Sequence, residues 1–137
     1  MGLDIYMLKV KKTANEVESV KDVDLSNAVE TAYFRKVNCL YGYFEDEMED
    51  ERLSFVDKYD VVDIINRAES IIQKAQEKPN DWQEFAEDTL PTRGGFFFGS
   101  TEYDEWYLEG LEQIIDQLSS VLANWDDDSI YVIEFSY

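Results

Sequence analysis

The chain has 137 residues, 45% of them hydrophobic and 15% aromatic, and a formal net charge of −19. That length suits one domain, and so much apolar material excludes a disordered acidic polymer, which needs low hydrophobicity as well as high charge. With no histidine and a single cysteine, Cys39, the sequence also excludes an internal disulfide, a Ser–His or Cys–His nucleophile pair and an ordinary zinc site.

No apolar run approaches the ~20 residues that span a bilayer. Met1-Gly2-Leu3-Asp4 lacks the basic and apolar regions of a signal peptide, and Tyr6 stands where a myristoylation motif wants Ser or Thr. The expectation is a cytoplasmic protein in a reducing setting. Its charge is unevenly placed. Residues 1–36 carry six basic and six acidic side chains, whereas residues 37–137 carry six basic and 25 acidic ones. Residues 94–137 contain ten acids and no base. Such a field repels nucleic acid and anionic membrane and attracts basic surfaces, although solubility alone also explains it.

In chain order, residues 3–12 alternate as a strand with one buried face. Residues 13–27 are polar and read as a loop. Tyr33, Val37, Leu40, Tyr41, Phe44 and Met48 then step by three and four, which predicts a helix over 33–48. Its end carries Glu45, Asp46, Glu47, Glu49, Asp50 and Glu51, six acids in seven residues, where the helix dipole disfavours negative charge. A short strand over 53–56 follows. Asp57 or Asp60 can cap the next helix, which runs to about residue 77 with Val61, Ile64, Ile65, Ala68, Ile71, Ile72 and Ala75 as its apolar stripe. Residues 81–88 allow another turn or two, with Trp82 and Phe85 inward. The breaker-flanked segment 90–100, with Phe96, Phe97 and Phe98 between glycines, predicts a short buried strand or a tight loop. Thr101 is a candidate cap for the clearest helix, whose face carries Tyr103, Trp106, Tyr107, Leu111, Ile114, Ile115, Leu118 and Leu122. Residues 124–128 turn the chain, and 130–137 close it as a strand. These elements predict a single α+β domain over residues 1–137. Its small antiparallel sheet includes both terminal strands and packs against about three amphipathic helices.

Three segments carry a resemblance: Met1-Gly2-Leu3-Asp4-Ile5-Tyr6, Tyr33-Phe34-Arg35-Lys36-Val37-Asn38, and the long run from Leu90 to Tyr107 that contains Gly95-Phe96-Phe97-Phe98-Gly99-Ser100-Thr101-Glu102-Tyr103-Asp104-Glu105-Trp106. They resemble a family of small uncharacterised proteins of bacteriophages and prophages from Gram-positive and other bacteria. The resemblance touches about 30 residues and implies a genomic setting, a bacterial host cell, rather than an activity. Relatives tend to carry Trp at the Phe34 position and His in the helix that follows, and this chain has neither.

Two kinds of site emerge, neither of them catalytic, because carboxylates alone supply no nucleophile–base set. The first is a partner surface made of Glu45, Asp46, Glu47, Glu49, Asp50 and Glu51, then Glu109, Glu112 and Asp116. Carboxylates spaced along helices can occupy the Arg and Lys positions that otherwise hold phosphates. The partner is then the basic surface of a host protein, such as a CRISPR effector or restriction enzyme inhibited by a nucleic-acid mimic. The second is a small-ligand site using Arg35, Asn38, Gly99, Ser100 and Thr101, where a loop opens a helix and presents N–H groups. A structural cap and aromatic packing corner explains the same residues, and an Arg35 ion pair to Asp104 or Glu105 would tie the helices together. No cofactor is implied. The 45–51 run and Asp126-Asp127-Asp128 lack the calcium-loop spacing, so no metal site is assigned.

Overall fold

A computed structural model describes residues 2–14 and 16–137. Met1, which opens the first resemblance segment, and Asn15, within the expected 13–27 loop, lie outside the described residues.

Four strands form one antiparallel sheet: β1 (Asp4–Lys11), β2 (Val29–Arg35), β3 (Leu53–Val56) and β4 (Ser129–Ser136), in the order β2-β1-β4-β3. Both terminal strands belong to it, as expected, and they form its central pair. Period-2 patterning sends one set of side chains to the core. Ile5 lies opposite Phe34 on β2 and Phe135 on β4, and Met7 lies opposite Ala32 and Ile133. Tyr131 and Ile133 in turn face Val56 and Ser54 on β3.

The described residues also form four α-helices: α1 (Asn38–Phe44), α2 (Lys58–Glu77), α3 (Gln83–Thr89) and α4 (Glu105–Ala123). The two long helices pack against each other, and α4 also lies against β2. Their 3.6-residue periodicity buries Val61, Ile64, Ile65, Ala68 and Ile71 of α2 and Leu111, Ile114, Leu118 and Val121 of α4. One buried cluster draws residues from all eight elements. On the opposite sheet face, a 3₁₀ turn over Val20–Asp22 packs beside β3, and Val20 and Val132 are buried outside that main cluster. Among the described residues no helix is long and apolar enough to cross a membrane.

α2 begins where the sequence placed its cap. The Asp57 carboxylate accepts the Asp60 N–H at 2.8 Å and Asp60 accepts the Asp57 N–H at 3.0 Å, so two exposed donors are satisfied reciprocally. Two expectations are corrected, and the 90–100 segment takes the second of its two expected forms. The predicted 33–48 helix is strand β2, then helix α1, then a 3₁₀ turn over Glu45–Glu47. Lys36, at φ 58°, breaks the chain between strand and helix. Of the three phenylalanines only Phe98 is buried; Phe96 is 81% exposed, and the segment is a tight loop, not a strand. The cap of α4 is Asp104, whose carboxylate accepts the Tyr107 N–H at 3.1 Å, and not Thr101.

Candidate functional site

A recess of about 410 Å³ opens between the β2–α1 junction, the 92–100 loop and the first half of α4. Local sequence explains its walls. The Lys36 N–H donates to the Leu3 carbonyl at 2.7 Å, which pins the left-handed turn that ends β2. Asn38 opens α1 with a buried side chain. Its Nδ2 donates to the Phe98 and Ser100 carbonyls at 3.1 and 3.0 Å, and its Oδ1 accepts the Arg93 N–H at 3.1 Å. A buried amide must be satisfied, and this one is satisfied by clamping the loop.

The loop itself needs glycine at two points. At Gly95 an added Cβ would lie 2.8 Å from the Phe98 ring, and Gly99 sits at φ 92° with a Cβ position 3.2 Å from Lys36 Cβ. Thr92 Oγ1 donates to the Thr101 carbonyl at 2.9 Å, and the Thr92 N–H donates to the Tyr103 hydroxyl at 3.1 Å. The Tyr107 hydroxyl donates to the Leu90 carbonyl at 2.8 Å. On α4, Trp106 lines the recess with 75% of its surface exposed. Gly110 follows one turn later, where an added Cβ would lie 3.7 Å from Val37 Cγ1.

The structure brings together four of the five ligand candidates, Arg35, Asn38, Gly99 and Ser100, as lining residues; Thr101 lies outside the lining. Their roles differ. Asn38 is spent on the clamp. Arg35 pairs with Asp4 at 3.0 Å and not with Asp104 or Glu105, because β1–β2 register places Asp4 directly opposite it. The Asp4 carboxyl is held below its usual range, chiefly by the Tyr33 hydroxyl bond and then by Arg35, against the opposing effect of burial. Asp104 is occupied as a helix cap. Glu102, Glu109 and Lys36 line the recess and form no ion pair among the described residues. Cys39 also belongs to the lining but is buried, and burial pushes its thiol up to about 12. That thiol is a packing group, not a nucleophile.

The acidic run is less available than its sequence implied. Glu45 accepts from Arg93 Nε at 2.6 Å, Asp50 pairs with Lys21 at 3.5 Å, and Glu49 accepts the Ser19 hydroxyl. Asp46, Glu47 and Glu51 have no ion pair among the described residues. Glu109, Glu112 and Asp116 form an exposed row at successive turns of α4, also without ion pairs among the described residues. No three His, Cys, Asp or Glu side chains among the described residues are grouped as a metal site would need.

Gly110 was not singled out from the sequence, and Trp106, expected on the apolar face of the helix, is instead 75% exposed. A signal existed for both. Tyr107, Leu111, Ile114 and Leu118 define the buried stripe, and Trp106 is displaced from it by about 100°, in line with Gly110 and Gln113. No protein-family model, curated protein or solved structure matches the chain.

Proposed function

We propose that this chain is a non-catalytic binding protein and that the recess beside Trp106 is where its ligand sits. One observation carries the reading: segments more than fifty residues apart, around Arg35–Asn38 and Gly99–Glu109, converge on one concave site of about 410 Å³. That volume lies in the range of small-molecule sites, and the lining combines an aromatic face with a few polar groups, as such sites do. The recess joins the second and third segments on which the phage-protein resemblance rests, so a phage or prophage origin in a bacterial host cell belongs to the same proposal. The test is native mass spectrometry on protein purified from its host at low salt. A bound small molecule lost from the Trp106→Ala variant supports the reading. Ligand-free protein that also shows no thermal shift with any compound in a metabolite panel contradicts it.

A second reading is favoured by the row Glu109, Glu112 and Asp116, exposed on consecutive turns of α4 and leading away from the recess. Here the chain is an acidic inhibitor that occupies the basic site of a host nucleic-acid enzyme, of anti-CRISPR or anti-restriction type. Contacts of this kind weaken sharply with salt. Pull-down from host lysate with the triple charge reversal Glu109→Lys, Glu112→Lys and Asp116→Lys should lose the partner, whereas reversal of Asp46, Glu47 and Glu51 should keep it. The opposite pattern would move the interface to the acidic run.

A further inference from the structure

Resting on the recess being the binding site, we infer that its ligand is an organic cation, a guanidinium or a substituted ammonium. The α4 side of the recess contributes Glu102, Trp106, Glu109 and Gln113, and no basic residue occurs anywhere from Gly94 to the last residue. Two carboxylates without ion-pair partners among the described residues therefore share the recess with an indole that is 75% exposed. An aromatic face beside carboxylates suits a desolvated cation, which gains from the ring quadrupole and from the charges together. Phe96 and Tyr59 are exposed to a similar degree, 81% and 72%, but neither lines the recess, whereas Trp106 does.

The cations on the other wall do not reverse this. Arg35 already pairs with Asp4 at 3.0 Å. The stem of Lys36 lies between Gly2 and Gly99, whose added Cβ atoms would meet it at 3.1 and 3.2 Å, which leaves one ammonium against Glu102 and Glu109. The field of a molecule at −19 adds to the preference by drawing cations and repelling anions. Gly99 and Gly110 both line the recess, and an added Cβ at Gly110 would make only ordinary contact with Val37, at 3.7 Å.

The same chemistry is offered by a free metabolite, such as an amino-acid ester or polyamine, and by an Arg or Lys side chain of a partner. Calorimetric titration of the full chain separates these. The probes are arginine methyl ester, spermidine and choline, against 3,3-dimethylbutan-1-ol as the neutral isostere of choline and acetate as the anion, with an Arg-rich hexapeptide as the partner arm. The inference expects the cations to bind and 3,3-dimethylbutan-1-ol and acetate not to. It also expects at least tenfold weakening by Trp106→Ala and by Glu109→Gln, and tighter binding by Lys36→Gln. Hexapeptide binding that also weakens with Glu112→Gln and Asp116→Gln assigns the cation to a protein. Free-cation binding indifferent to those two changes assigns it to a small molecule. Cation binding indifferent to Trp106→Ala and Glu109→Gln is general attraction to an acidic surface and overturns the inference. Binding of the neutral or anionic probe in preference, abolished by Trp106→Ala, overturns the cation class while leaving the recess as the site. No probe of any charge binding would count against both.

Discussion

Gly110 stands in the interior of a 19-residue helix, where glycine costs about 0.5–1 kcal/mol relative to alanine. Its φ is ordinary, and an added Cβ would make only normal contact with Val37 at 3.7 Å. No conformational or steric demand of the folded chain therefore requires glycine here, and Gly110 lines the recess. Gly110→Ala should raise the unfolding free energy by about 0.5–1 kcal/mol in denaturant titration while weakening whatever the recess binds. A variant that is both more stable and fully competent to bind would remove Gly110 from the site. The three phenylalanines make a second contrast. Phe98 is buried against Tyr41 at a ring separation of 4.8 Å, so Phe98→Ala should cost about 3–5 kcal/mol. Phe97 is 45% exposed and held at φ 64°, a region costly for a side chain, so Phe97→Gly should leave the melting temperature unchanged or raised. Equal losses from both would show that the loop tip packs in solution.

At the scale of elements, the turn into β4 is tied by Asp126. Its carboxylate accepts the Ser129 hydroxyl at 2.8 Å and the Asp128 N–H at 3.0 Å, and it pairs with Lys11 at 3.3 Å. These bonds, the Ser129 one first, hold its pKa at about 2 against an ordinary 3.8. A carboxylate with a lower pKa in the folded state stabilises above its unfolded value and loses that contribution as pH falls through its folded one. Asp126→Asn should therefore lower the melting temperature at neutral pH, with the deficit closing between pH 3.8 and about 2. A deficit independent of pH would assign the effect to geometry instead of charge.

How far each element was legible follows from its pattern. β1, α2, α4 and β4 each bury one face, so period 2 or 3.6 survives in the sequence. β2 was missed because its inward residues are only Ala32 and Phe34, while Val29 and Tyr33 are exposed on the other face. Tyr33 then falls in helical register with Val37, Leu40, Tyr41 and Phe44 across a junction that only the backbone of Lys36 reveals. The site was half legible for a related reason. Glycines and hydroxyls around residue 100 announce a loop, but that Trp106 faces out depends on which neighbours claim Tyr107 and Leu111.

For the whole molecule, the charge of −19 turned out to be two different things. Part of the 45–51 run is neutralised internally by Arg93 and Lys21, which links α1 to the 92–100 loop and to the 3₁₀ turn on the other sheet face. The α4 row and the carboxylates at the recess remain available. Exposed pairs such as these contribute about 0.2–1 kcal/mol each, so their role is local positioning more than stability. Composition announces the amount of acid but not this partition, which depends on chain crossings that bring Arg93 to Glu45 and Asp4 to Arg35.

The most direct measurement is a backbone amide NMR titration of the isotope-labelled chain with arginine methyl ester. Saturable shifts confined to residues 35–39, 92–100 and 102–113, and absent in Trp106→Ala, are the predicted result. Shifts concentrated on residues 45–51, or spread evenly over every acidic segment without saturation, would contradict the account.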